Sequence, residues 1–559
     1  MTAFLKRFTP ERAAWAFAAV LAAAVALLAV WFGALNQDEG WYLYAAQLVR
    51  AGQVPYRDFF FTQGPTLPYV YGALSAVWGM ASPLHGLLGG RVLSLAFSAA
   101  TVALAASLAR RLAGGDRKDV AALAAVAALG CNLYHAYFTC IPKTYALGGC
   151  FAMLGFWLLA AGLARRGAAR ALALAGCGLS LAFASGTRIS LVLLLGTTGV
   201  SLLAYGWLSA RGWAKLMPAF WFGMAGLAGL AITYGPFAAD PAALDGLLAA
   251  QAYHAGRGGF DPFFAVGSAS RLARGYWVLG AFLFTGLCGL GRPPARECGR
   301  GNAGGDASQP ESGTAAPDWG SRTALWALVA GFAAVFALQM SAPFPYDDYQ
   351  VPVMPLLAVA LSVFFARGTA FFTRSGASWL AVLLAGLAAY SSPLLQEWAT
   401  YGQDRFWSRK KETTELAKLR AVGAELERLD PGGKTLLTQD LYLAVETGRS
   451  VPEGLAMGPF CYFGDLADDA RARKLHVLNP STMEALLASA PCPLAAFSGY
   501  GFAVSVPKGS EVPLATQMRY WELLKRNYEL AFAEPDFGQN STTLLVLKRK
   551  PAPAGEAAK

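Results

Sequence analysis

Apolar runs long enough to cross a bilayer recur eleven times in the first 395 residues of this 559-residue chain, and that repetition decides its class. A hydrocarbon core roughly 30 Å thick takes about 20 predominantly apolar residues in helical form. Each such run must satisfy its own backbone in lipid, so it becomes a helix. The runs fall at 14–34, 84–109, 120–136, 144–164, 171–186, 189–209, 216–237, 275–291, 323–341, 349–366 and 378–395. With 55% hydrophobic and 14% charged residues, the composition is that of an integral membrane protein, not a large soluble enzyme.

Charge orients the bundle. Of the 46 Lys and Arg, 26 lie in the first 395 residues, against 15 of the 35 Asp and Glu, which accounts for the whole net charge of +11. A cytoplasmic N-terminus puts 18 of those 26 basic residues inside, among them Arg110, Arg111, Arg165 and Arg166. This is the positive-inside pattern, so the basic excess reports topology and no nucleic-acid partner is expected. Thr66–Met80 is apolar as well, but a crossing there would invert the bias. It is expected to lie at the outer surface. Residues 1–34 carry an apolar stretch too long for a cleaved signal peptide, and it runs into Trp31-Phe32 at an interface.

Three regions break the pattern of short loops. The first is the outer loop 35–83, and the second is 292–322, rich in Gly, Pro, Ser and Ala and expected to be a disordered cytoplasmic linker. The third is everything after Pro393. Residues 396–548 read as a small extracytoplasmic α/β domain, and 549–559 as a loose tail. A charged helix is expected from Arg405 to Leu429, then strands at Lys434–Thr438 and Thr542–Leu547 with helices near 463–475, 480–489 and 515–528 between them. The fold class is therefore a membrane all-α polytopic bundle of about eleven transmembrane helices, 1–395, with that small domain attached. Most of the eight cysteines act as small apolar residues near spans, whereas Cys461 and Cys492 are candidates for a disulfide on the outer side.

The chemistry concentrates in Asn36-Gln37-Asp38-Glu39-Gly40-Trp41-Tyr42, just past the first apolar run. Carboxylates at a membrane surface have no packing role that offsets their desolvation, so they are functional candidates. Trp41, Tyr44 and Leu48 share a helical face that Gly52 can end, which predicts a short amphipathic helix. Asp38 at its start is either an N-cap, with Glu39 complementing the helix dipole, or a general base facing a cavity. Next come Pro55-Tyr56-Arg57-Asp58 and the turn Gln63-Gly64-Pro65. Arg57 and Asp58 form either a surface ion pair or part of a site, with Arg57 on an anion.

This order of span, Asp-Glu pair, Tyr-bearing helix, Pro-Tyr-Arg-Asp segment, Gly-Pro turn and second surface helix resembles the polytopic GT-C glycosyltransferases. That family includes protein O-mannosyltransferases and lipid A aminoarabinose transferases. The resemblance covers residues 1–395 and is strongest at 36–72. It implies transfer of a sugar from a polyprenyl-phosphate donor, at the outer face of the inner (plasma) membrane, to a lipid, polysaccharide or protein acceptor. It associates the first acidic residue of the loop, here Asp38, with catalysis.

Such a reaction needs a base for the acceptor hydroxyl, cations for the departing phosphate and walls that orient the sugar. Asp38 is the candidate base, and Glu39 supports it or binds a metal or a sugar hydroxyl. Lys143 and Arg188, at outer ends of spans, are candidate phosphate contacts beside Arg57, with snorkelling to headgroups as the bland alternative. Tyr42, Asp58, Tyr346, Asp347, Asp348 and Tyr349 are candidate sugar or acceptor contacts; a solvated acidic loop is the alternative for Asp347 and Asp348. A divalent metal ion is a candidate cofactor, although the acid that many relatives place near the Lys143 position is missing here. Loop 238–274 carries Tyr253-His254-Ala255-Gly256 and is expected to be a mobile gate, with His254 a surface residue. No P-loop, zinc-ligand spacing or Gly-x-Ser-x-Gly occurs, which excludes support for nucleotide hydrolysis, zinc chemistry or serine hydrolysis. A lipid-linked sugar transporter or flippase and a non-catalytic scaffold are the rival classes.

Overall fold

The computed structural model of the chain describes residues 9–77, 82, 84–255, 259–290, 319–392, 413–499, 502, 512–539 and 541–551. Among them, seven helices are long and apolar enough to cross a membrane: Pro10–Phe32, Leu87–Ala113, Thr144–Leu163, Gly167–Thr187, Ile189–Ser209, Met217–Ala238 and Trp319–Met340. The other four expected crossings are helical but not simple spans. At 120–136 two helices, Gly115–Leu129 and Leu133–Cys140, meet at 67°. Asn132 builds that break: its side chain accepts from the His135 N–H at 2.9 Å and donates to the Gly275 carbonyl at 3.0 Å. Trp277–Cys288, Met354–Gly368 and Arg374–Tyr390 occupy the remaining positions with 12, 15 and 17 residues, fewer than a straight crossing needs.

Helices form at both expected positions within 35–83, Gln37–Arg50 and Thr66–Ser75, and the first of them is largely buried. The expected loop 238–274 is largely helical, with Pro241–Ala255 and Pro262–Gly275, each started by an Asp that accepts backbone N–H groups. The side chain of His254, the glycines at 256 and 258 and most of the linker 292–322 lie outside the described residues.

After the bundle, Glu415–Leu429 leads into a four-stranded sheet of order β1-β2-β4-β3: Leu437–Thr438, Leu494–Phe497, Thr542–Arg549 and Tyr528–Phe537. β1 is parallel to β2, and the other pairs are antiparallel. Helices Pro480–Ser489 and Leu514–Asn527 fall where periodicity predicts them, whereas of the expected 463–475 only Asp469–Lys474 is helical. β2 is a four-residue, fully buried run, and β3 leaves the preceding helix without a turn, so neither has a strong signal. The expected start at Arg405, the segment 393–412 and the tail beyond 551 lie outside the described residues. Cys461 and Cys492 are free buried thiols in separate apolar clusters, so the candidate disulfide is not formed.

The C-terminal unit grips the first surface helix. Gln37 donates through Nε2 to Asp440 at 2.9 Å, and its backbone N–H donates to Gln539 at 2.9 Å. The Val451 N–H donates to the Tyr44 hydroxyl, and Trp41 meets Phe460 edge-on at 4.6 Å. Asp440 itself is buried and also accepts from Tyr442, the Ser498 hydroxyl and the Ser498 N–H. Gly40 sits so close that an added Cβ would lie 2.5 Å from the Tyr442 nitrogen. Alanine usually favours a helix over glycine by about 1 kcal/mol. Gly40→Ala should do the reverse here, lowering the unfolding temperature of the solubilised protein and exposing the C-terminal unit to protease. An unchanged or raised temperature counts against this docking.

Candidate active site

The first turn of helix Gln37–Arg50 separates the two acids by job. Its N-cap is Asn36, whose side chain accepts from the Asp38 N–H at 3.0 Å, while Glu39 accepts from the Asn36 N–H at 3.0 Å to complete a capping box. Asp38 is thus released from capping, which corrects that alternative. Glu39 is fully buried and takes Nε and Nη2 of Arg91 at 2.7 and 2.8 Å. The same guanidinium donates to the carbonyls of Val30, Gly33 and Ala34 where the first span ends. Glu39 therefore does not share a cavity with Asp38. It holds the turn on which Asp38 stands, and Arg91 is its counter-ion.

Asp38 points to Lys143, at 2.6 Å, with side chains 20% and 9% exposed. The ammonium has a second carboxylate, Asp348, also at 2.6 Å, and Asp348 further accepts from Tyr145 at 3.0 Å. Burial alone pulls an ammonium toward neutrality, but Asp348 and Asp38 outweigh it and raise the pKa of Lys143. Lys143 lies immediately before helix Thr144–Leu163, so three separate segments meet at one nitrogen.

Arg188 stands beside this cluster. Its guanidinium lies 4.3 Å from the Tyr349 ring centre and 5.4 Å from that of Tyr145, and Lys143 is 4.7 Å from the same Tyr145 ring. No carboxylate pairs with Arg188 among the described residues. The buried Tyr42 phenol senses the whole group: burial first, then Asp38, push its pKa up, against the opposing pull of Lys143 and Arg188. Asp347 turns away from its neighbour Asp348, accepting from Tyr134 and, at 3.2 Å, from Arg271. Tyr346 packs on Tyr349 and edge-on against Phe264, at 5.5 and 5.2 Å.

Arg57 and Asp58 do not join this cluster. They pair with each other at 2.9 Å, half-exposed, and Asp58 also accepts from the Val54 N–H while Arg57 approaches Asp240. A short polar loop satisfies itself locally, which accounts for the placement. Two contributors had no separate signal in the sequence. Tyr145 follows Lys143 by two residues, and Gln339 sits inside an apolar span, where a lone amide is a weak mark.

Two cavities flank the turn Gln63-Gly64-Pro65. Tyr56 holds that turn through its hydroxyl on the Gln63 carbonyl, and an added Cβ at Gly64 would lie 2.2 Å from the Gly186 carbonyl oxygen. One cavity, about 430 Å³, runs from Arg188 past Gln63, Gln251, Gln339 and Tyr349. The other, about 330 Å³, is apolar and bounded by Pro65, Val70, Phe183, Ile232 and Phe237.

No cluster of three or more His, Cys, Asp or Glu able to hold a metal occurs among the described residues. Asp38 and Asp348 converge on an ammonium, so this donor set does not fit a divalent ion.

No family model matches the chain, and no curated protein matches it. Solved structures do. ArnT from Cupriavidus metallidurans bound to undecaprenyl phosphate superposes with a TM-score of 0.54 at 11% identity, over 94% of this chain and 97% of that one. Its apo form gives 0.51 at 12% identity, with the same coverage. An archaeal oligosaccharyltransferase, AglB from Archaeoglobus fulgidus, gives 0.43 at 10% identity, over 96% of this chain and 75% of that one. At such identities the likeness is one of fold: this chain is a multi-pass membrane protein built on the fold of the GT-C glycosyltransferases.

Proposed function

We propose that the chain is a membrane glycosyltransferase that moves one sugar from a polyprenyl-phosphate donor to an acceptor at the extracytoplasmic face of the inner membrane. The observation that carries the reading is the meeting of Asp38, Lys143 and Arg188 in one half-buried site, with Arg188 lacking a carboxylate partner among the described residues. A positioned carboxylate beside two cations is what displacement of a phosphate by a hydroxyl needs. The acceptor oxygen attacks the anomeric carbon as Asp38 takes its proton. The bond from that carbon to the phosphate oxygen breaks, and the phosphate leaves with the electron pair onto Arg188 and Lys143. For Lys143 this means exchanging Asp38 for phosphate, with Asp348 and Tyr145 keeping hold of it. The apolar cavity beside the Gln63–Pro65 turn suits the first isoprene units, in keeping with the undecaprenyl phosphate bound by the ArnT neighbour. The positive-inside bias supports the outward orientation. The charged groups gather at one end of the bundle, which disfavours a transporter that binds at the midplane.

A hydrogen bond to a charged group is worth about 1.5–3 kcal/mol, or roughly 10- to 150-fold in affinity. Arg188→Gln should therefore weaken binding of polyprenyl phosphate to the purified protein by at least about tenfold. Wild-type protein that ignores polyprenyl phosphate, or a variant that binds it equally well, sinks the proposal. Mass spectrometry of cell-surface glycans with and without the protein then identifies the product.

A further inference from the structure

Resting on the reading just given, we infer that the cavity beside Arg188 receives the sugar of the donor, that this sugar is uncharged, and that Gln339 is a residue that selects it. A phosphate held by Arg188 has its sugar one bond away, so the ring must enter whatever space adjoins that guanidinium. Among the described residues, a cavity of about 430 Å³ adjoins it. Among the described residues its polar walls are amides and hydroxyls, from Gln63, Gln251, Gln339, Ser190 and Ser341, and Arg188 is its one charged residue.

Gln339 supplies the second, independent sign of a ligand. It is 4% exposed, donates through Nε2 to Ser190 at 2.9 Å, and its amide oxygen has no partner. A buried acceptor left unsatisfied costs free energy that a ligand hydroxyl can recover. Tyr346, Tyr349 and Phe344 add aromatic surface for the C–H faces of a pyranose or furanose.

The missing carboxylate decides the charge of that ligand. The amino group of a protonated amino sugar would enter a half-buried space whose described lining offers it no carboxylate and has a guanidinium at its mouth, and burying a poorly paired charge is unfavourable. A uronic acid would compete with the phosphate for Arg188. A neutral hexose or pentose meets neither penalty, and its hydroxyls match the amides. Sites that hydrogen-bond a substrate hydroxyl discriminate sharply against ligands that lack it.

The test measures binding to purified full-length protein of four probes: bare polyprenyl phosphate, and polyprenyl phosphate carrying a neutral hexose, a 4-amino-pentose or a hexuronic acid. The neutral-sugar lipid should bind about tenfold or more tighter than the bare lipid, and the charged-sugar lipids should gain nothing. Gln339→Leu should remove the gain and leave affinity for the bare lipid unchanged. Gln339→Glu should shift preference toward the amino sugar. Tighter binding of either charged-sugar lipid by the wild type overturns the inference, and so does a Gln339→Leu variant that keeps the full sugar gain. If the bare lipid does not bind at all, the parent reading falls, and the two failures are thereby told apart.

Discussion

Exchanging Asp38 for Asn should lower sugar transfer by about 10²- to 10⁴-fold, the usual contribution of a positioned acid–base group. Asn has the same shape and still accepts a hydrogen bond from Lys143, but it cannot take the acceptor's proton. Lys143 keeps Asp348 at 2.6 Å, so the cation stays in place. The N-terminal cap is Asn36 and the capping box closes on Glu39, so the helix start does not depend on the exchanged carboxylate. The expected signature is a protein that inserts, unfolds at a nearly unchanged temperature and binds polyprenyl phosphate, yet forms little product. Full transfer by the Asp38→Asn protein removes Asp38 from the chemistry, and a misfolded variant means that its role was structural.

The largest stability effect should come from the neighbouring acid. Glu39 and Arg91 are both sealed from solvent and bond bidentately. Removing one partner of such a pair leaves an uncompensated charge and typically costs about 3–5 kcal/mol. Arg91→Ala should lose more than Glu39→Ala, because three carbonyls at the end of the first span lose their donor as well. An apolar double replacement, Glu39→Met with Arg91→Met, should recover part of the loss. Unfolding of the solubilised variants measures this, and a single replacement that costs under about 1 kcal/mol contradicts the assignment. Transfer by these variants should fall too, since the turn carrying Asp38 loosens.

The bundle was legible because lipid tolerates so few solutions: a long apolar run must be a helix. One expected crossing departs from a simple span for a local reason. The run at 120–136 hides Asn132, whose bonds break it into two helices. Asp38, Lys143 and Arg188 were legible as ionisable residues at span ends, where burial needs a reason. The division of labour within Asp38-Glu39 was not, because the counter-ion of Glu39 lies 52 residues away in sequence. Arg57 and Asp58 could be read equally as a surface ion pair or as part of the site, and a neighbouring backbone N–H with a mutual ion pair absorbs them. Gln339 shows the converse. One amide in an apolar helix carries meaning only once the cavity in front of it is known.

The grip of the C-terminal unit on Gln37, Gly40 and Tyr44 makes it a chassis for the proposed site, not a detachable accessory. Grafting that unit from a relative would import foreign counterparts for all three positions at once. Functional hybrids therefore have to carry both sides of the seam together.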